Sequence, residues 1–326
     1  MTILVTGGAG YIGAHVVLAL LDAGEDVVVL DDLSTGDRAS LPGSARLVVG
    51  DVGDRDLVGR VLDEAGIAEI VHLAAKVIVP VSVVDPLGYY EANTGKTRAL
   101  LEVAVAAGVS RLVFSSTAAV YGVPDTHLVS EDHVPAPINP YGRSKLMSEW
   151  MIADAARAHG LSFVILRYFN VAGADPHGRA GQSTPDATHL VKVACQTALG
   201  QRPHLAIYGN DFGTPDGTGI RDYVHVSDLA DAHRAALGHL REGGESLVLN
   251  AGYGHGVSVR EVIDSVRRVS GVDIPVMSAP RRAGDPDALI ADASRLRQRF
   301  AWSPRHDDLD QIIAQALSWE RRLMGS

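Results

Sequence analysis

Cysteine is nearly absent: Cys195 is the single one in 326 residues. No intrachain disulfide can form, no oxidising compartment is implied, and Cys195 reads as a small buried hydrophobe. A basic excess is missing too, since 29 Lys and Arg stand against 39 Asp and Glu, for a formal net charge of −10. That balance argues against a general nucleic-acid binder, which carries a basic field. It leaves room for small anionic ligands, because backbone N–H groups at a helix N-terminus hold phosphates locally. No apolar run is long enough to span a bilayer. Residues 1–6 enter a strand pattern directly, without the charged and apolar regions of a leader. Internal repeats and low-complexity tracts are also missing. The expectation is a cytoplasmic protein with neither a nucleic-acid nor a membrane partner.

What is present is an ordinary globular balance, 46% hydrophobic and 21% charged, in a length that suits one large α/β unit or two linked lobes. Thr2–Thr6 reads as an apolar strand, and Tyr11–Ala23 has helical spacing that stops at Gly24. Val27–Leu30 is continuously apolar, as expected of a strand covered on both faces. The rhythm repeats: strand Arg46–Val49, helix Asp54–Ala65, strand Glu69–Leu73, helix Pro86–Ala107, strand Arg111–Ser115, helix Pro140–His159, strand Ser162–Arg167. Such alternation predicts a doubly wound parallel sheet of the Rossmann type. After Asn170 it breaks. Residues 171–187 and 208–221 read as long loops around a ligand. Asp222–His239 and Leu247–Asn250 read as a helix and a strand returning to the main sheet. From Ser258 to about Ser326 the pattern is mostly helical, apart from a Pro/Arg/Gly/Asp stretch at 280–287. This predicts a smaller C-terminal α/β lobe, interleaved with the first.

Between the first strand and first helix, Gly8, Gly10 and Gly13 form G-x-G-x-x-G, and Gly7 adds a second spacing. Glycine is needed there for a tight turn, for close approach of the backbone to a pyrophosphate, and for packing of helix on strand. Asp31 ends the second strand, 18 residues past Gly13. A carboxylate there accepts from ribose hydroxyls and repels a 2′-phosphate, so NAD is favoured over NADP. Asp32 adds acidity. Asp51 follows the third strand, where it could meet an adenine amino group or simply cap the strand.

Asn139 and Pro140 read as N-cap and first position of a helix, which puts Tyr141 and Lys145 at i and i+4 on one face. A phenol is a poor base at neutral pH, and the nearby ammonium, with the positive charge of oxidised nicotinamide, is expected to favour the phenolate. Lys145 could also hold the nicotinamide ribose. Thr117 follows the fifth strand, where it can bridge a substrate hydroxyl and the tyrosine.

Thr6-Gly7-Gly8-Ala9-Gly10-Tyr11-Ile12-Gly13, His72-Leu73-Ala74-Ala75, Ser115-Ser116-Thr117 and Tyr141-Gly142-Arg143-Ser144-Lys145 together resemble the extended short-chain dehydrogenase/reductases. Asp31-Asp32-Leu33-Ser34, Arg167-Tyr168-Phe169-Asn170-Val171-Ala172-Gly173-Ala174, Gly217 to Val226 and Arg281-Arg282-Ala283-Gly284-Asp285 resemble the UDP-glucose 4-epimerase family within them. The resemblance spans essentially the whole chain. It implies NAD contacts at Gly7, Gly10, Tyr11, Ile12, Gly13, Asp31, Asp32, Leu33, Ser34, Thr35, Gly36, Asp51, Val52, Leu73, Ala74, Ala75, Asn93, Ser115, Thr117, Tyr141, Lys145 and Phe169. It implies UDP-sugar contacts at Thr117, Tyr141, Asn170, His189, Leu190, Tyr208, Arg221, Arg282, Asp285 and Leu289. Catalysis falls to Thr117, Tyr141 and Lys145, and no metal is expected. Residues 1–170, with about 222–250, would bind NAD; most of 171–326 would bind the UDP-sugar. A homodimer is implied, through the helices Pro86–Ala107 and Pro140–His159.

The implied reaction is reversible inversion at C4 of a UDP-hexose through a 4-keto sugar. C4 inversion of UDP-glucuronate or another unusual UDP-sugar is the alternative, and an NAD-sensing protein without turnover a distant third. A 4,6-dehydratase is disfavoured, because Ala118-Ala119 follow Thr117 where an acid pair would be needed. The sequence departs from the family at Lys76–Val83, which is apolar and lacks the usual acid, at Asn93–Thr97, at His189–Lys192 and at Leu289. These departures surround the hexose and leave the sugar open.

Overall fold

A computed structural model describes residues 1–184, 187–282 and 284–325. Parts of the expected loop at 171–187, position 283 of the arginine motif and the terminal Ser326 lie outside the described residues. Seven strands form the main sheet: β1 (Thr2–Thr6), β2 (Asp26–Asp31), β3 (Arg46–Val49), β4 (Glu69–His72), β5 (Arg111–Thr117), β6 (Ser162–Tyr168) and β7 (Leu247–Ala251). Their order is β7-β6-β5-β4-β1-β2-β3, and every pairing is parallel. The order reverses between β1 and β4, and such a switch point opens a crevice at the carboxyl ends of the strands.

The alternation of side chains divides the core. Ile3, Val5, Val27, Val29, Val71, Val113 and Val164 belong to one apolar cluster. Leu4, Val28, Leu30, Ile70, Leu112, Phe114 and Ile165 belong to another. Successive residues of one strand point to opposite faces, so an apolar run fills both sides. Helix α1 (Tyr11–Asp22) packs with α5 (Val226–Arg241) against the first set. Helices α2 (Arg55–Ala65), α3 (Lys96–Ala106) and α4 (Pro140–His159) cover the second. Leu247–Ala251 returns to the sheet edge beside β6.

The remaining elements differ from the sequence reading in four places. The helix expected over Pro86–Ala107 is a short helix Pro86–Tyr89, a π-helical turn Tyr90–Gly95 and then α3. Its polar run Glu91-Ala92-Asn93-Thr94 bonds to α4 and the loop after β4, which widens the turn. A helix also forms at Val79–Val84, started by Pro80. Asp222–His225, expected helical, precedes the helix: Tyr223–His225 is a strand that pairs in parallel with Asn170–Ala172, which runs into the expected 171–187 loop. The C-terminal region carries strands Val276–Ala279 and Ala288–Ala291 among its helices. These pair with Leu205–Tyr208, Ile220–Arg221 and Leu128–Val129. Strands of two to four residues leave almost no periodic signal, since their partners are far away in sequence. Helices Leu190–Ala198, Val259–Ser270 and Leu309–Met324 pack on one another and share the first core.

Candidate active site

The glycine loop is packed to the limit of what a backbone permits. A Cβ on Gly7, at φ 70°, would sit 2.6 Å from Ala74 N, and one on Gly13 would sit 2.1 Å from Gly7 O. Gly10 is the N-cap of α1 and supplies no side-chain bond, so no side chain caps the positive end of that helix. Asp31 is buried; its Oδ2 accepts from Ala9 N and its Oδ1 from Leu33 N, each at 2.9 Å. Burial raises its pKa, against the two N–H bonds. Asp32 accepts from Ser34 N and Ser34 Oγ in an exposed turn that leads to Thr35 and Gly36. An uncapped helix end, a cradle without Cβ atoms and an acid at the next strand's tip fit a dinucleotide such as NAD.

Other residues named for the cofactor have stated partners. The Tyr11 hydroxyl donates to Gly173 O at 2.7 Å, so only its backbone and ring edge are left for a ligand. Ile12 packs against the core and Val52 is buried. Leu73 N donates to Thr6 O, and Ala74, next to Ala75, lies against Gly7. Asp51 accepts from Gly53 N at 2.8 Å and pairs with Lys96 Nζ at 2.5 Å. Burial pushes its pKa up, but the lysine and the N–H bond outweigh it and hold it down. Asn93 spends its side chain on protein: Oδ1 accepts from Lys76 N, and Nδ2 donates to Lys76 O and Ser144 Oγ. Ser115 Oγ lies 2.7 Å from His233 Nε2.

Helix α4 starts where its sequence says. Asn139 Oδ1 accepts from Gly142 N at 2.8 Å, and Pro140 occupies the first turn. Tyr141 and Lys145 are then buried on the sheet side, beside Thr117 at the carboxyl end of β5. Tyr141 neighbours the Thr117 hydroxyl, and its ring meets Tyr89 edge-on at 6.5 Å between centroids. The protein's own groups do not by themselves depress the phenol. Burial pushes the Tyr141 pKa up to about 12, although the neighbouring Thr117 hydroxyl acts to lower it. Lys145 Nζ lies 4.1 Å from the centroid of the Phe114 ring, and burial pushes its pKa down to about 7. Desolvation costs each group its charge. Ala118 is buried and Ala119 N donates to Thr117 Oγ1, so no acid pair follows the threonine.

Along the other side of the crevice, Phe169 is buried with Tyr121, Leu146 and Leu289. Asn170 is exposed and its N–H donates to Asp222 O. Leu289 stands opposite Arg221 in a parallel pair. Arg221 donates to Ile220 O and Pro286 O and reaches Asp285 at 3.9 Å. Arg282 lies 3.8 Å over the Tyr208 ring. Position 284 packs against Ile138, which brings this arginine segment to the residues just before α4. Leu190 begins a helix at the N-cap His189, whose ring lies 3.1 Å from Gln182 Nε2; that contact stays within its own loop.

Sequence reading did not single out Phe212 and Arg281, which stack at 3.9 Å beside the Arg282–Tyr208 pair. Phe212 is an aromatic in the 208–221 stretch, and that was the available signal. Nor did it single out Glu149, and it placed Arg167 and His72 in motifs without a role; all three are buried polar groups at this edge of the sheet. Glu149 falls at i+4 from Lys145, a spacing that was open to reading.

Comparison with known proteins shows the family. Residues 3–252 match the model of the NAD dependent epimerase/dehydratase family. The chain belongs to that family. It is 57% identical over 321 residues to a UDP-glucose 4-epimerase of Azospirillum brasilense, covering 98% of this chain and 92% of the relative. The crystal structure of UDP-glucose 4-epimerase from Brucella ovis in complex with NAD superposes with a TM-score of 0.95 at 42% identity, over 97% of each chain. That of the Bifidobacterium longum enzyme in complex with NAD+ and UDP gives 0.93 at 36% identity, over 99% of this chain and 98% of the other. Among the described residues no helix is long and apolar enough to cross a membrane.

Proposed function

We propose that the chain is an NAD-dependent 4-epimerase that interconverts UDP-glucose and UDP-galactose through a transient 4-keto sugar. The observation that carries this reading is the burial together of Thr117, Tyr141 and Lys145 at the carboxyl edge of the sheet, with Tyr141 one helical turn before Lys145. Tyr141 takes the 4-hydroxyl proton and Thr117 orients that hydroxyl. Lys145 holds the ribose next to the nicotinamide and offers the phenolate a cation. NAD, when bound, supplies a hydride acceptor that later serves as the donor. Its pyrophosphate fits the end of α1, its adenosine ribose Asp31 and its adenine the neighbourhood of Asp51.

Residues 1–170, with 222–250, hold the dinucleotide in this reading, and most of 171–326 holds the UDP-sugar. Arg221 and Arg282 neutralise the diphosphate in an otherwise acidic chain. Asn170, His189, Leu190, Tyr208 and Asp285 line the nucleotide, and Leu289 limits the room beside the hexose. Anchoring through UDP leaves the hexose free to present either face. Exposed Leu87 and Trp150, on the two helices named for it, support a homodimer through that face.

The test is purified protein given UDP-galactose with no added cofactor. UDP-glucose should form, and acid should release NAD from the protein in near-stoichiometric amount. A protein that carries NAD yet converts no UDP-sugar would sink the proposal.

A further inference from the structure

Beneath the reacting groups lies a buried charged cluster that the chemistry above does not use. Glu149 is 4% exposed and follows Lys145 by one turn of α4, and Arg167 of β6 is 6% exposed. Arg167 Nε donates to both Glu149 oxygens, at 3.1 and 3.2 Å, and Nη2 donates to Oε2 at 2.5 Å. Ser116 Oγ donates to Glu149 Oε1. Arg167 Nη1 donates to the Tyr121 hydroxyl at 3.0 Å, which donates to Asn250 Oδ1 at 2.7 Å. Ser116 stands opposite Arg167, and Arg167 opposite Asn250, across three adjacent strands. One carboxylate thus joins α4 to the ends of β5, β6 and β7.

Stability alone does not call for such a cluster. A buried ion pair is often matched or bettered by apolar residues of equal volume, whereas removing one partner is costly. Its position is more informative. Ser116 immediately precedes Thr117, so the bond that holds Ser116 fixes the strand end that aims Thr117 at Tyr141. The same carboxylate acts on two cations, Arg167, which stays charged, and Lys145. The other groups around Lys145 are the Phe114 ring face from β5, His72 from β4 and Tyr141 on its own helix. Burial holds His72 neutral, with a pKa of about 3. Glu149 is therefore the anion that balances Lys145 among these groups.

We propose that Glu149 is a positioning residue for the reaction: it neutralises Arg167, anchors Ser116 and with it Thr117, and presents negative charge to the Lys145 ammonium. This inference rests on the reading that Thr117, Tyr141 and Lys145 carry the chemistry.

The test compares wild type, S116A, E149Q and the double variant E149Q/R167M, following kcat and KM for UDP-galactose against pH. Loss of the Ser116 bond should lower kcat about three- to tenfold, the worth of one hydrogen bond, with KM little changed. With Glu149 neutral and Arg167 still charged, Lys145 should lose its proton earlier. The alkaline limb of the E149Q profile should then move down by about one pH unit. Removing the arginine charge as well should return the limb toward wild type, which a merely structural role would not do. S116A kinetics equal to wild type, or an alkaline limb that stays in place in E149Q, overturns the inference. Should E149Q fail to fold, S116A and the double variant decide. A wild-type protein that turns over no UDP-hexose would instead overturn the reading beneath it.

Discussion

Asp31 reaches back from the tip of β2 to the glycine loop and accepts a hydrogen bond from Ala9 N at 2.9 Å. One carboxylate therefore shapes the loop, and in the proposed reading it also holds the adenosine ribose. Asp31→Asn should weaken NAD binding by about 10- to 100-fold, the worth of a charged hydrogen bond. It should also narrow the preference over NADP, because the repulsion of a 2′-phosphate is gone. Titration of the cofactor-stripped protein with each dinucleotide checks this. Unchanged discrimination would show that Asp31 serves the loop alone.

Tyr141→Phe should lower kcat by about 10²- to 10⁴-fold, the range for loss of an acid–base group. Bound NAD should be retained, since the glycine loop and Asp31 are untouched. Stopped assays of UDP-hexose conversion with parallel cofactor release give both numbers. A variant that keeps wild-type kcat would remove the phenol from the chemistry.

The burial of Lys145 predicts a particular link between stability and pH. Its pKa in the folded protein is about 7, below the ordinary 10.5. The unfolded chain therefore binds the extra proton between those values, and stability gains as pH rises through them. Below pH 7 the full cost of the buried charge is present. Lys145→Met should raise Tm by a few degrees at pH 7 and progressively less toward pH 10.5. Activity should be lost over the same range. A Tm that falls at pH 7 would mean the lysine is paired more strongly than its surroundings indicate.

Acid should unfold the protein steeply for a related reason. His15, His225 and His233 are held near 4, and His72 near 3, by burial. All four lie below the ordinary 6.5, so each contributes stability above pH 6.5 that is lost as pH falls through its folded value. The slope is about 1.4 kcal/mol per pH unit for each proton taken up. Urea titrations between pH 7 and 4 should show it. A flat profile there would contradict neutral burial of these rings.

Arg282 is exposed and stacks on Tyr208, and in the proposed reading its guanidinium meets the diphosphate. Arg282→Ala should raise KM for UDP-galactose about 10- to 100-fold with kcat largely kept, as for a group that binds ground and transition states alike. Loss confined to kcat would place the arginine nearer the reacting carbon.

What could be read from sequence follows the range of each signal. The helix bearing Tyr141 and Lys145 announced itself because Asn139 and Pro140 are local start signals, and the seven sheet strands did so because each is a continuous apolar run. The strand pair Asn170–Ala172 and Tyr223–His225 did not, since three residues show no period and their partner lies some 50 residues away. The π-helical turn at Tyr90–Gly95 was hidden because its cause is tertiary: Asn93 bonds to Lys76 and Ser144. At the site, residue types and spacing named Thr117, Tyr141 and Lys145. They did not show how deeply the phenol is buried, because that is a property of the packed structure.

The claim that hydride leaves C4 and returns to it is tested most directly by UDP-galactose carrying deuterium at C4, incubated in ordinary water with no added NAD. The account predicts UDP-glucose with the deuterium retained at C4, visible by proton and deuterium NMR. Exchange of that deuterium with solvent during conversion, or no conversion at all, would contradict it.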